Sequence, residues 1–131
     1  MPLTILRRGI VTNILKKDIY MWTFEPIFKS IIWGGEKIAP FKGVKTSQKE
    51  IGESWEISGV EGSESIVADG PDKGLTLPQL VERYKADLLG EKNYKKYGND
   101  FPLLIKFIDA CQDLSVQVHP SDELARERGK I

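Results

Sequence analysis

The sequence predicts a mainly β fold with at least one helix, and a β-sandwich or barrel is the architecture it favours. Most segments after Met21 are short, rich in aromatic and β-branched residues, and separated by turns that contain glycine or proline. One stretch, residues 75–90, has its apolar residues at helical spacing. The 131 residues are enough for one ordinary domain with a buried core.

The composition narrows the class of protein. Hydrophobic residues make up 40% and charged residues 29% of the chain, which is typical of a soluble globular protein. Nineteen basic residues balance nineteen acidic ones, so we expect no nucleic-acid partner and no anionic-membrane partner. The lone Cys111 cannot form an internal disulfide, which favours a reducing, cytoplasmic location. No apolar run is long enough to span a bilayer.

The first twenty residues differ from the rest. They carry four basic residues and only one acid, Asp18, with apolar residues interspersed. A targeting peptide has a similar bias, but the apolar run is too broken for a secretory signal and serine is missing. We interpret residues 1–20 as an N-terminal extension and residues 21–131 as the domain.

Three strands are predicted in the first half of the domain. Residues 21–35 form a strand region that Pro26 breaks and that ends in a Gly34-Gly35 turn. ESWEIS alternates, which places Glu53, Trp55 and Ile57 on one face. SIVA, residues 65–68, is a third short strand, and residues 36–50 are predicted to be a loop.

The second half begins with the predicted helix. Thr76 is its expected N-cap, Pro78 suits the first turn and Gly90 suits the exit. Its buried stripe comprises Leu80, Val81, Tyr84, Leu88 and Leu89. The polar residues 91–100 connect it to two apolar runs, FPLLIKFIDA and LSVQVHP, which we predict to be a hairpin or adjacent strands. A last helix begins at Ser121 or Asp122.

Polar residues inside these apolar runs are the candidate site. Lys106 interrupts LLIKFI, where a cation is costly to bury unless it is paired or meets an anion, although an edge strand would let it reach water. On a strand, Ser115, Gln117 and His119 would share one face, and an imidazole with an amide oxygen at i, i+2 could bind one metal ion. A solitary histidine is also commonly a hydrogen-bonded structural residue.

Glu53 beside Trp55 leaves two interpretations open. The carboxylate could be a tuned acid or part of a carbohydrate contact, and it could equally be a solvated glutamate next to a core aromatic residue.

In combination these segments resemble a known family. WTFEPIFKSIIWGG, GESWEIS and FPLLIKFIDACQDLSVQVHPSDELA are similar to the N-terminal part of type I mannose-6-phosphate isomerase, from Met21 to about Arg128. The resemblance implies a partial cupin-type, jelly-roll-like β-barrel or sandwich. It also implies a zinc-dependent isomerase that interconverts mannose 6-phosphate and fructose 6-phosphate through an enediol.

The resemblance also assigns roles to residues. Gln117 and His119 correspond to two of four metal ligands, and Lys106 and Ser115 lie near the sugar phosphate. Trp33 and Glu53 match positions that line the same pocket, and we assign Glu53 and Lys106 as the catalytic residues.

The match stops before the family's remaining metal ligands, a glutamate and a second histidine. We therefore expect a C-terminally truncated barrel with an incomplete ligand set for one divalent ion, little activity alone, and self-association through exposed strand edges. The alternatives are a non-catalytic sugar-phosphate-binding remnant and a structural fragment whose polar face is only solvated.

Overall fold

A computed structural model describes residues 21–129 of the chain. The predicted extension, residues 1–20, lies outside the described residues. Contacts divide the described part into two compact units, residues 21–26 with 57–104, and residues 27–56 with 105–129. The elements, in chain order, are β1 (Ile27–Gly35), α1 (Ile38–Phe41), β2 (Ile51–Ile57), α2 (Leu77–Tyr84), α3 (Ala86–Leu89), α4 (Glu91–Tyr97), β3 (Ile105–Ile108) and α5 (Asp122–Glu127).

The sheet has the strand order β1-β2-β3, and β1 runs antiparallel to β2. β1 begins directly after Pro26, as predicted, because proline has no N–H to donate to a ladder. The register pairs Ile27 with Trp55 and Lys29 with Glu53. This register places Lys29 directly across from a carboxylate.

Close backbone contact explains the glycine pair that ends β1. A Cβ atom on Gly34 would overlap the backbone of Glu50 and Gly52, and one on Gly35 would overlap the carboxyl group of Asp109. The Gly35 N–H donates to the Asp109 carbonyl at 2.9 Å. The two glycines therefore allow an approach that any side chain would prevent.

The other unit is built around the predicted helix. The Thr76 side chain and the Gln79 side chain cap each other's backbone N–H groups in a capping box. Lys85 adopts a positive φ of 50° and separates α2 from α3, so the single predicted helix is two. Leu80 and Val81, with Val67 and Leu77, are almost completely buried and form the core of this unit.

The predicted strand SIVA is present as short bridges. The Val67 N–H donates to the Leu75 carbonyl at 2.9 Å, and the Ala68 N–H donates to the Thr23 carbonyl at 2.8 Å. The segment thus has a backbone partner on each side.

Two further predictions of secondary structure were wrong. Residues 38–41, assigned to a loop, form the one-turn helix α1. The run LSVQVHP forms neither a strand nor one arm of a hairpin, and Val116 and Val118 are 96% and 90% exposed. A strand requires a neighbour for its backbone groups, and none of the described residues pairs with residues 113–120.

The predicted C-terminal helix forms as α5. The Ser121 hydroxyl accepts from the Leu124 N–H at 3.4 Å, which identifies Ser121 as the N-cap. Within residues 21–129, none of the helices is long and apolar enough to cross a membrane.

Candidate functional site

Glu53 is the centre of a polar cluster on one face of the sheet. Its Oε1 accepts from the Lys106 Nζ at 2.7 Å, and its Oε2 accepts from the Trp55 Nε1 at 2.7 Å. Glu53 and Trp55 are two residues apart on β2 and so point the same way, as predicted from the alternation. Lys106 comes from β3, so the sheet joins residues 53 positions apart in sequence.

Lys106 is therefore not an isolated buried charge. β3 lies at the end of the strand order, and the lysine side chain is 30% exposed while that of Glu53 is 13% exposed. The edge position and the ion pair together explain why an apolar strand tolerates this cation.

The cluster keeps its carboxylate ionised. Burial by itself would raise the pKa of Glu53, but hydrogen bonds from Lys106 and Trp55 lower it, and the positive charges of Lys106 and Lys29 add to the lowering. The net result is a pKa below the ordinary value. At neutral pH the pair is therefore a carboxylate held against an ammonium group.

Lys29 is a member of this cluster that sequence reasoning missed. Its Nζ lies 4.5 Å from the centroid of the Trp55 ring, a cation–π distance, and it is the cross-strand partner of Glu53. The alternation of β1 could have indicated which face Lys29 occupies. Its position opposite Glu53 depends on the strand register, which no sequence pattern here specifies.

Trp33 lies next to the cluster along the sheet. A Cβ atom on Gly52 would overlap the six-membered ring of Trp33, so the indole packs over the backbone immediately before Glu53. The Trp33 carbonyl accepts from the Cys111 N–H at 2.9 Å. None of the hydrogen bonds described for residues 21–129 joins the Trp33 indole to Glu53 or Lys106.

The three polar residues of LSVQVHP are not joined to the cluster. Ser115, Gln117 and His119 are exposed, and no hydrogen bond or ion pair within residues 21–129 involves their side chains. The described residues also contain no group of three His, Cys, Asp or Glu side chains placed to hold a metal ion. The described residues therefore do not form a metal centre around Gln117 and His119.

A separate hollow of about 350 Å³ lies in the same unit. It is lined by residues between Gly35 and Ile51, including Lys45 and Lys49. None of the predicted site residues lines it. The candidate site is therefore the open face around Glu53 and not this hollow.

Known proteins resemble most of this chain. The family model described as phosphomannose isomerase type I, catalytic domain, matches residues 21–129. The mannose-6-phosphate isomerase ManA of Bacillus subtilis is 43% identical over 110 residues, which are 82% of this chain and 33% of that protein. A mannose-6-phosphate isomerase of Streptococcus mutans is 36% identical over 96 residues, which are 73% of this chain and 29% of that protein.

A solved structure agrees with these relatives. The crystal structure of the mannose 6-phosphate isomerase from Bacillus subtilis matches with a TM-score of 0.70 and 37% identity, and covers 83% of this chain and 33% of that one. The predicted fold class is confirmed by this likeness, and the chain spans about one third of the length of the relatives it matches. With a family match from residue 21 to residue 129, this chain belongs to the type I phosphomannose isomerase family.

Proposed function

We propose that the protein serves as an aldose–ketose isomerase that interconverts mannose 6-phosphate and fructose 6-phosphate. Membership of the family and the names of its relatives support the reaction. The observation that carries the proposal is the Lys106–Glu53 pair at 2.7 Å on a partly open sheet face. A fixed cation there can stabilise negative charge that develops on substrate oxygens during enediol formation.

The roles within the pair follow from its electrostatics. Glu53 is held ionised, so its part is to orient Lys106 beside the substrate through their ion pair. Lys106 then contacts the oxygens on which charge develops. Trp33, which packs over Gly52, forms a wall of the sugar site, and Ser115 contributes a hydroxyl to the phosphate end.

We assign Gln117 and His119 as two donors to one divalent ion, zinc, as an incomplete set. Their exposure leaves both side chains accessible to an ion and to further donors. Neutral imidazole is a common zinc ligand, and an amide oxygen can add a weaker, hard contact. A calorimetric titration with zinc should show weak binding that His119→Ala abolishes, whereas an unchanged affinity in that variant would remove the assignment.

A chimera tests the isomerase proposal. Residues 21–129 would replace the matching third of the Bacillus subtilis relative, with mannose 6-phosphate turnover followed by a coupled assay. We expect an active chimera that loses activity by at least about tenfold in Lys106→Met and keeps it in the control Lys95→Met. A folded chimera without turnover would contradict the proposal. We expect the chain alone to show little activity.

A second function is that of a sugar-phosphate-binding protein, to which the partly exposed Lys106 would supply a cation. In it the protein binds a sugar phosphate through Lys106, Ser115 and Trp33 without turnover. Binding of fructose 6-phosphate by the chain, together with an inactive chimera, would favour this function.

Three further properties belong to the proposal. Residues 21–131 constitute the domain and residues 1–20 an extension, and the lone Cys111 suits a cytoplasmic location.

Self-association is supported by the exposed apolar side chains of β3, where Ile105, Phe107 and Ile108 are 46–53% exposed on an edge strand. Sedimentation that shows only monomer at high protein concentration would remove this last proposal.

A further inference from the structure

Asp109 directly follows β3 and connects it to both other strands of the sheet. Its backbone N–H donates to the Gly52 carbonyl of β2 at 2.9 Å, and its carbonyl accepts from the Gly35 N–H of β1 at 2.9 Å. Its side-chain Oδ2 accepts from the Lys37 N–H at 2.7 Å, just after the end of β1. One half-buried residue therefore holds β2, the end of β1 and the turn that follows it.

These bonds lie where β1 departs from its regular pairing with β2. Residues 31–34 of β1 are shifted out of the register with β2, as in a β-bulge. Within this stretch, the Trp33 carbonyl accepts from the Cys111 N–H at 2.9 Å, two residues after Asp109. The backbone at Trp33 is therefore held by the segment that begins at Asp109, because the regular register with β2 does not include it.

The carboxyl group of Asp109 occupies space that a glycine at position 35 leaves open. The three atoms nearest to a Cβ on Gly35 would be the Cγ and the two carboxyl oxygens of Asp109, all close enough to overlap it. The carboxyl group thus lies against Gly35 while it accepts from the Lys37 N–H. Its position fixes the turn two to four residues after Trp33.

We propose that Asp109 is a positioning residue of the candidate site, and that it sets where the Trp33 indole lies relative to Glu53. The indole packs over Gly52, the residue before Glu53. Asp109 is bonded both to Gly52 and to the turn after Trp33, so loss of its carboxyl group would free the turn and let the indole move. The inference rests on the proposed function for the role of Trp33 as a wall of the sugar site.

The first test uses the whole chain and follows the Trp33 indole N–H by NMR, with Trp33→Phe to assign the signal. We expect Asp109→Ala to shift this signal, because the turn loses its side-chain acceptor. Asp109→Asn keeps a carbonyl oxygen for the Lys37 N–H and should leave the signal close to that of the unsubstituted protein. The matched control is Asp113→Ala, an exposed aspartate of the same unit, which should leave the signal unchanged.

Gly35→Ala perturbs the same contact from the other side. The added methyl group should displace the Asp109 carboxyl group and shift the Trp33 signal. In the double variant Gly35→Ala/Asp109→Ala there is no carboxyl group to displace, so the shift should not exceed that of Asp109→Ala alone. Because Gly35→Ala retains Asp109, it also provides the test if Asp109→Ala fails to fold.

Turnover by the chimera with the Bacillus subtilis relative is the second test. Asp109→Ala should raise the KM for mannose 6-phosphate about fivefold and change kcat by less than about twofold, because Asp109 acts through a wall of the sugar site. Asp109→Asn should restore the KM to within about twofold. A purely structural Asp109 would lower the melting temperature while the KM and the Trp33 signal stayed the same.

Three outcomes would overturn the inference: an unchanged Trp33 signal in Asp109→Ala and Gly35→Ala, an equal shift in Asp113→Ala, or no recovery in Asp109→Asn. Failure of the inference is distinguishable from failure of the proposed function. An inactive chimera together with an Asp109-dependent Trp33 signal counts against isomerisation only. An active chimera whose KM does not depend on Asp109 counts against the inference only.

Discussion

Two carboxylates of this protein have the same kinds of partner and very different surroundings. Asp72, in the unit built around α2, accepts from the Trp22 Nε1 at 3.0 Å, the Tyr84 hydroxyl at 2.7 Å and the Arg83 guanidinium at 2.6 Å. Glu53, on the sheet, also accepts from an indole N–H and from a cation.

The difference lies in burial and charge balance. The Asp72 side chain is 3% exposed and has one cation, so its cluster is closed and neutral. Glu53 is more exposed and has a lysine across the strand in addition to its ion-pair partner. A closed cluster stabilises a fold, whereas an open one also leaves its charged groups accessible to a ligand. The following predictions test this contrast.

The largest effect is expected for Asp72→Ala. It leaves the Trp22 and Tyr84 donors without their acceptor in a buried place, so the free energy of unfolding should fall by about 3 kcal/mol. Urea unfolding followed by circular dichroism measures this. The control is Asp69→Ala, whose carboxylate accepts from the Thr23 hydroxyl in an exposed place and should cost less than about 0.5 kcal/mol. Equal losses in both variants would refute a closed stabilising cluster.

Protonation of Asp72 should lower the free energy of unfolding by less than its replacement by alanine does. Hydrogen bonds from Trp22 and Tyr84 lower the pKa of Asp72, burial opposes them, and Arg83 adds to the lowering. A pKa depressed in the folded state contributes stability that is present above the unfolded value and is lost as the pH falls through the folded value. The free energy of unfolding should therefore decrease from about pH 5 downward.

The dependence on pH can be attributed by substitution. Asp72→Asn should flatten the slope of the free energy of unfolding below about pH 5, relative to the unsubstituted protein. A slope in Asp72→Asn as steep as in the unsubstituted protein would show that other carboxylates cause the acid sensitivity.

Glu53→Gln is expected to cost less than Asp72→Ala. The change removes the counter-charge of Lys106. Because the Lys106 side chain is 30% exposed, water compensates for the lost ion pair, and the free energy of unfolding should fall by about 1 kcal/mol. Chemical unfolding provides the measurement, with Glu36→Gln as an exposed control. A loss as large as that of Asp72→Ala would mean that the sheet cluster is as closed as the other one.

Sequence patterns predicted the parts of the fold that depend on local signals. The N-caps Thr76 and Ser121 form as expected because capping involves residues within three positions of each other. Alternation correctly put Glu53 and Trp55 on one face. Lys106 was recognised as unusual, but its pairing with Glu53 depends on strand order, which is a long-range property.

The segment around His119 shows why a local pattern can mislead. Alternation in LSVQVHP predicted a strand, yet pairing requires a neighbouring segment, and none of residues 21–129 supplies one. The helical break at Lys85 was also missed, because the apolar stripe continues through it and only the backbone conformation reveals it.

The smallest effect on the free energy of unfolding is expected for Val118→Ala, in the segment LSVQVHP. Val118 is 90% exposed, so the loss of two methyl groups removes no buried contact and should change the free energy of unfolding by less than about 0.5 kcal/mol. The identical change at Val81, which is fully buried on α2, should cost about 2 kcal/mol. The pair of variants compares one chemical change in a packed and in an unpaired segment.

A loss above about 1 kcal/mol in Val118→Ala would require valine contacts that an exposed segment lacks. Residues 113–120 would then pack as a strand in solution, with Ser115, Gln117 and His119 together on its other face. Repeating the measurement with zinc present sharpens the test. If ion binding orders the segment, zinc should raise the melting temperature of the unsubstituted chain but not that of His119→Ala.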